Sequence, residues 1–404
     1  MRGERLAGQE TDFGKSEREM RRALGRKVLV SEAAQREAEL REVQIADFKE
    51  IYPESKLKAD KRYLMRAESY MDERNANGAA AVFEQMFLDG ITVGTWLGNV
   101  GVENNEVVTS FTVDARGAAR YDDVRHKVDA FATLKFKEPI VDEDYGTTTS
   151  RVVLGFDVTT NGGKQAIQEK LTKSYNDQTE LPFGFSHLDY YENNQEKGRL
   201  GLLPRYVIGV SGYDVRAIQE TAQVKPNGKI VNFGLHSGQN LINRFKVLSE
   251  IRAENELYQA MLPDDLDSDV LQQANASLYA VDQCLHGALL KCTKAIIKAG
   301  CLPKVIAQEV EAAENSGRGT KARNIIEGYL LRRSQEIFAD EANEAKLYGR
   351  QAIGGQDTFV QIMETCRELT DAAYAGELDE YRGVMAHNHG IEFEKDDETD
   401  IMEA

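Results

Sequence analysis

The chain has 404 residues, of which 41% are hydrophobic and 29% charged, and its formal net charge is -17 at pH 7. This length exceeds the roughly 100–200 residues of a typical domain, so we expect more than one structural unit. The negative charge argues against a protein that coats nucleic acid non-specifically, because such binding depends on lysines and arginines that neutralise phosphates. A metal-dependent enzyme can still be acidic overall, because the bound cation supplies the local positive charge.

The sequence shows neither a membrane-spanning segment nor a disulfide framework. No apolar run approaches the roughly 18 residues that a transmembrane helix needs, and the N-terminal residues are polar, so we expect a cytoplasmic protein without a membrane partner. The four cysteines form no Cys-x-x-Cys pair, which predicts small buried hydrophobic residues and not zinc ligands. These cysteines are Cys284, Cys292, Cys301 and Cys366.

The first part of the chain predicts helices. Amphipathic spacing favours helices over Ser31–Phe48 and Lys56–Met71. The apolar run Ala79–Leu88, which contains Glu84, predicts a buried helix that ends near Gly90.

The middle of the chain alternates between strand and helix patterns. The predicted strands are Val107–Val113, Lys127–Phe136, Arg151–Thr160 and Leu202–Val210, and the predicted helices are Lys164–Ser174 and Asp214–Gln223. A helix between two strands implies a parallel crossover, and the earlier consecutive strands imply antiparallel hairpins. We therefore expect an α/β fold, with a mixed sheet and helices on both of its faces.

The C-terminal part predicts an all-α region. Helical spacing recurs over Leu241–Met261, Ser268–Ala299, Leu302–Ala313, Lys321–Ala339 and Asp357–Ala375. We therefore expect a partly mobile N-terminal helical arm (1–77), an α/β domain (78–235), an all-α C-terminal domain (236–385) and an acidic disordered tail (386–404).

Two of the predicted strands carry an aspartate that suits a metal site. Alternate side chains of a strand share a face, so Asp129 and Asp157 can reach one side of the sheet if their strands pair. Two carboxylates there would bind Mg²⁺ or Mn²⁺, which activates water and neutralises charge on a phosphate, and Glu84 could add a third acid. The alternative is that Asp157 ends a strand and supports the turn into the next helix, and that Asp129 is an exposed strand residue. Against it, a carboxylate beside the apolar run Val152–Phe156 is costly to bury unless it is paired or liganded.

The order of these acids resembles that of the PD-(D/E)XK (restriction-endonuclease-like) nuclease superfamily. Glu84 lies on a helix, and Asp129 and Asp157 lie on the strands that follow, within residues 78–223. The Tyr-Asp-Asp-Val, Val-Asp and Asp-Val-Thr pattern is also similar to that of uncharacterised proteins from candidate-phyla bacteria. The superfamily resemblance implies an αβββαβ core, a divalent metal and hydrolysis of phosphodiester bonds, with Asp129 as the motif aspartate and Asp157 as the second acid.

The lysine of that motif stands two residues after the second acid, where this chain has Thr159. In the superfamily this lysine helps to position the attacking water, and the helix that follows can supply it instead. The resemblance then implies Lys164 or Lys170 as its replacement, beside the catalytic Asp129 and Asp157. Without a replacement, the protein would be a non-catalytic scaffold that binds a protein partner, or a second copy of itself, through its helical domain.

Several other residues have a functional and a structural interpretation. Arg205, Arg318 and Lys321 are candidates for contacts with nucleic-acid phosphates, and a solvated strand end or helix face is the alternative. The aromatic segment Leu181–Tyr191 predicts a packed loop, with base stacking as its functional alternative. Tyr121-Asp122-Asp123 predicts a turn or a helix start, from which both aspartates could assist the metal site.

Overall fold

The computed structural model describes most of the chain. The described residues are 12–70, 78–92, 111–143, 145–160, 163–176, 181–227, 230–233, 238–263, 268–347 and 357–375. The predicted strand residues 107–110 and the predicted acidic tail over 386–404 lie outside them. Within this described part of the chain, no helix combines the length and the apolar character needed to cross a membrane.

Helices precede the sheet, as the sequence predicts. They are α1 (Asp12–Arg41), a 3-10 turn (Ile45–Phe48), α2 (Glu54–Tyr70) and α3 (Gly78–Thr92). Helix α1 begins inside the segment that we expected to be mobile. Residues three or four apart on α3, including Phe83 and Phe87, are buried together. The ring of Phe87 lies 4.7 Å from that of Phe156 in the sheet, which fixes α3 on one sheet face.

The predicted α/β class and the mixed sheet flanked by helices are confirmed. The main-sheet strands are β1 (Phe111–Gly117), β2 (Ala130–Asp142), β3 (Thr147–Thr159), β4 (Phe185–Glu192) and β5 (Lys197–Gly209). Two helices are interspersed, α4 (Arg120–His126) and α5 (Lys164–Asn176). The spatial order is β1-β2-β3-β5-β4, in which β3 and β5 are parallel and the other pairs antiparallel.

Strand β3 is the central strand and is covered on both faces, as its near-continuous apolar run predicts. Leu154 and Phe156 face the larger apolar core, whereas Val153 faces a smaller cluster on the opposite side. The side chain of Asp157 is on the same side of the sheet as that of Val153. The backbone N–H of Asp129, just before β2, donates to the carbonyl of Phe156 at 2.8 Å. The two acid-bearing segments are therefore neighbours.

The segment Leu181–Tyr191 forms most of an edge strand, so the prediction of a packed loop is wrong there. Strand β4 begins at Phe185 and pairs antiparallel with β5. The segment is rich in aromatic side chains, which favour strands, and its proline and glycine lie before the strand. Tyr190 and Tyr191 pack inward, so these rings are not a base-stacking surface.

The remaining elements include the predicted C-terminal helices. They are α6 (Gly212–Thr221), a small hairpin of β6 (Gln223–Val224) and β7 (Ile230–Asn232), α7 (Gly238–Met261), α8 (Asp269–Lys298), α9 (Lys304–Asn315), α10 (Gly319–Leu347) and α11 (Thr358–Ala375).

These C-terminal helices share one apolar core with the sheet. A single cluster joins Phe156 and Tyr206 of the sheet to Phe245 of α7, Leu278 of α8 and Phe359 of α11. Three of the four cysteines are buried, as predicted, and the fourth is half-buried; all four are free thiols. The site described next lies around Asp157, at the end of β3.

Candidate functional site

Asp157 is the centre of an ion-pair cluster at the end of β3. Arg205 of β5 donates from Nη1 to Asp157 Oδ2 at 3.0 Å, and Lys170 of α5 contacts Asp157 Oδ1 through its ammonium. Both the carboxylate and the guanidinium are nearly inaccessible, with 4% and 2% of their side-chain areas exposed. Arg205 Nη2 also donates to the backbone carbonyl of Lys170 at 2.6 Å, which joins α5 to β5.

Of the two predicted lysines, the structure brings Lys170 to the acids. Buried Ile167 and Leu171 fix α5 on the sheet, and Lys170 then points to Asp157. Lys164 lies at the start of α5, where its ammonium pairs with Glu368 of α11 at 2.8 Å.

Asp129 lies beside Asp123, which the sequence suggested only as an assisting residue of the metal site. Its Oδ2 accepts a hydrogen bond from the backbone N–H of Val158 at 2.6 Å, and its carboxyl lies beside that of Asp123 on α4. Burial, with the negative charges of Asp123 and Asp157, holds the pKa of Asp129 well above its usual range.

Glu84 extends this acidic group towards α3. Burial raises the pKa of Glu84 to about 8, and the negative charges of Asp123 and Glu42 contribute. The positive charge of Arg41 opposes this rise but does not restore an ordinary pKa at Glu84.

Lys170 is held in its charged form. Burial alone would lower the pKa of Lys170, but the carboxylates of Asp157 and Asp129 outweigh burial and raise it. The ammonium is therefore a fixed positive charge and not a proton acceptor. Its side chain is 32% exposed, so one side of it faces solvent.

The donor set suits a divalent metal in its chemistry. Glu84, Asp123 and Asp129 offer oxygen ligands, and a cation would offset the burial and the neighbouring negative charges that raise the pKa values of Glu84 and Asp129. Among the described residues, however, the group of three ligand atoms that lie within 4.8 Å of one another is His126, His187 and Asp189. Glu84, Asp129 and Asp157 would have to draw closer together to share one ion.

The three residues predicted to contact nucleic acid lie in different environments. Arg205 is 2% exposed, so its guanidinium is inside the protein, against Asp157, and not on a surface that a phosphate reaches. Arg318 and Lys321 lie at the beginning of α10 and are exposed.

Sequence reasoning missed the contact of Asp123 with Asp129 and the histidine cluster. His187 and Asp189 are two residues apart on β4, so their side chains share one side of the strand. The sequence would have indicated this proximity if the segment had been predicted as a strand and not as a loop. Comparisons of the chain with protein-family models, curated proteins and solved structures find no match.

Proposed function

We propose that the protein is a metal-dependent nucleic-acid-processing enzyme that hydrolyses phosphodiester bonds. The observation that carries the proposal is the position of Lys170, which comes from the helix after β3 and meets Asp157 beside the Asp123–Asp129 pair. A lysine, two aspartates and a nearby glutamate offer oxygen ligands for a metal ion and a positive charge for a phosphate.

The order of elements supports a nuclease-like core of the αβββαβ type. In this proposal α3, β1, β2, β3, α5 and β5 are the core elements, and the parallel pairing of β3 with β5 is its crossover. Strand β4 is then an added edge strand, and α7 to α11 are the all-α C-terminal region.

Each residue of the site has a distinct role in this proposal. Asp129 and Asp123 would hold Mg²⁺ or Mn²⁺, with Glu84 and Asp157 beside them, and the bound ion would supply an activated water and charge neutralisation. Lys170, as a fixed ammonium, would orient the water and stabilise negative charge on the phosphate. Arg205 is a positioning residue, because it contacts Asp157 and the backbone of Lys170 and is itself buried.

The site is open on the side where a substrate would bind. The side chain of Asp123 is 28% exposed and that of Lys170 is 32% exposed, whereas Asp157 lies beneath them. Arg318 and Lys321, exposed on α10, remain candidates for contacts with phosphates outside this site.

A second candidate function is a non-catalytic scaffold that binds a protein partner or a second copy. The observation in its favour is that both carboxylate oxygens of Asp157 already contact protein cations. In that reading the cluster of Asp157, Lys170 and Arg205 only holds α5 against the sheet.

Cleavage of single- and double-stranded DNA and RNA in Mg²⁺ or Mn²⁺ separates the two functions. We expect Asp129→Asn and Lys170→Met to reduce the cleavage rate by at least about 100-fold, because each removes a group that acts on the reacting phosphate or water. Lys164→Met is the matched control, because this lysine lies on the same helix and pairs with Glu368.

The wild-type result and the variants decide the matter together. A wild-type chain that cleaves none of the four substrates with either ion supports the scaffold. Cleavage that survives both Asp129→Asn and Lys170→Met overturns this site. Circular dichroism of each variant shows whether a lost rate reflects a lost fold.

A further inference from the structure

Two histidines and an aspartate converge at the C-terminal end of α4. His126 ends α4, and His187 and Asp189 lie on edge strand β4. One ligand atom from each of the three lies within 4.8 Å of the other two. The centroids of the two imidazole rings are only 3.8 Å apart.

We propose that His126, His187 and Asp189 form a second metal site, which binds a transition-metal dication of the zinc class. Two imidazole nitrogens and one carboxylate oxygen favour Zn²⁺, Co²⁺ or a similar ion over Mg²⁺, which prefers oxygen ligands and water. This inference does not depend on the proposed hydrolase site, which uses different residues and a different class of ion.

The buried nitrogen of His126 is the observation that points to a ligand. Its side chain is only 6% exposed, yet Nε2 makes no hydrogen bond. The nearest carboxylate oxygens are Asp189 Oδ2 at 3.6 Å and Asp122 Oδ1 at 3.9 Å. Nitrogen and oxygen ligands of one tetrahedral zinc are separated by about 3.4 Å, since each bond is about 2.0–2.2 Å long. The gap between Nε2 and Oδ2 therefore needs to close by only a few tenths of an ångström.

The surrounding structure fixes Asp189 for this role. Alternate residues of a strand share a side, which places Asp189 with His187. The hydroxyl of Tyr52 donates to the Asp189 carbonyl at 2.6 Å. Arg199 Nε lies 3.4 Å from Oδ1, which leaves Oδ2 directed towards His126. Such outer contacts orient metal ligands in characterised sites.

Lys56 is the competing cation. Its ammonium lies 3.6 Å from Asp189 Oδ2, where it would oppose a metal, but it is closer to Asp60, at 2.8 Å. The ammonium can therefore keep Asp60 as its partner when a metal takes Asp189. Replacing this lysine should tighten metal binding.

The site would clamp the end of α4 to the edge strand. Asp123 lies one helical turn before His126 on α4, so a metal at His126 would also restrain the helix that presents Asp123.

Titration of the untagged, metal-stripped full chain with Co²⁺, followed by its visible absorption bands and by competition with Zn²⁺, tests the proposal. We expect a single tight site whose dissociation constant rises by more than about 100-fold in His126→Ala and in His187→Ala, because each removes a direct ligand. Lys56→Gln should lower the dissociation constant.

Two control variants address His286, His387 and His389. His286→Ala removes an exposed histidine on α8 and should leave binding unchanged, as should the double replacement of His387 and His389 by alanine. Binding that is absent in the wild type, or that survives His126→Ala and His187→Ala, overturns the proposal. If these variants fail to fold, broadening of histidine ring signals in the wild-type NMR spectrum decides: His126 and His187 must broaden with Co²⁺ and His286 must not.

Discussion

Gly184, just before β4, shows how tightly single residues are fitted around the site. Its φ is +80°, a conformation that side-chain-bearing residues rarely adopt, and a Cβ built there would lie 2.4 Å from the Tyr258 ring. The Tyr258 hydroxyl in turn donates to the carbonyl of Arg205 at 2.5 Å. The absence of a side chain at Gly184 therefore lets Tyr258 support the strand that carries Arg205.

Gly184→Ala should destabilise the protein much more than Gly146→Ala. Gly146 also has a positive φ, of +65°, but a Cβ there meets nothing within 4 Å. Backbone strain alone costs about 1–2 kcal/mol, and the overlap with Tyr258 should add about 1–3 kcal/mol at Gly184. Urea denaturation of both variants measures the difference in free energy of unfolding. Equal losses would contradict the role given to Tyr258.

The two lysines Lys164 and Lys170 of α5 show which contacts of single residues the sequence alone does not predict. The sequence singled out Asp157 because a carboxylate beside Val152–Phe156 requires a partner, and the structure supplies Lys170 and Arg205. It did not decide between Lys164 and Lys170. That choice depends on Glu368, which lies 204 residues beyond Lys164 and pairs with it, and local patterns carry no such information.

At the scale of elements, helix α7 completes the open edge of β5. The β4–β5 pairing begins at Phe185 and Pro204, so the later amides of β5 lack a strand partner on that side. Glu254 accepts from the N–H of Val207 at 2.8 Å, and Glu250 accepts from that of Gly209 at 3.0 Å. Two glutamates one turn apart thus replace a strand.

Burial makes the stability of this arrangement depend on pH. It raises the pKa of Glu254 to about 8 from an ordinary value of 4.5, and the negative charge of Asp157 adds to the effect. The folded protein therefore binds more protons than the unfolded chain between these values. The contribution of Glu254 to the free energy of unfolding is fully present below pH 4.5 and is lost as the pH rises through about 8.

Glu254→Gln should flatten this dependence. Between about pH 5.5 and about pH 8.5, the wild-type free energy of unfolding should fall by about 3 kcal/mol through this group, and the variant should lose less because glutamine does not ionise. Urea denaturation at both pH values provides the measurement, with the exposed Glu309→Gln on α9 as control. A steeper decline in Glu254→Gln than in the wild type would refute the assignment.

The sequence predicted the elements better than their contacts. Every helix predicted from Leu241 to Ala375 is present, because its apolar spacing is local information. The buried acids of α7 were not foreseen, since a glutamate inside a helical pattern ordinarily indicates a solvated face. Only the position of the β5 edge explains why Glu250 and Glu254 are inside.

At the scale of the whole molecule, the apolar core joins segments that the sequence assigned to separate domains. Ion pairs of Lys246 on α7 join the same segments. Its Nζ lies 3.1 Å from Asp214 Oδ2 and 3.4 Å from Asp357 Oδ2. All three are buried and belong to different helix regions. Amphipathic patterns show that a helix has an apolar face but not which surface covers it, so the shared core could not be predicted.

We expect this shared core to unfold in one step. Urea denaturation followed by circular dichroism should show a single transition, and hydrogen exchange should protect the amides of α8 and β3 with similar free energies. Unfolding of α8 at lower urea than β3 would instead support an independent helical domain. Lys246→Met should lower the free energy of unfolding by about 3–5 kcal/mol, because it leaves two buried carboxylates without their cation.

The carboxylate of Asp122 has a consequence for the register of β4. It accepts hydrogen bonds from the N–H groups of Asp189 at 2.7 Å and Tyr190 at 3.0 Å, where the pairing of β4 with β5 shifts. A strand that slips by one residue exchanges its two faces, which would turn His187 and Asp189 away from His126. A fully buried acid 67 residues earlier in the chain thus prevents the slip and keeps the histidine cluster assembled.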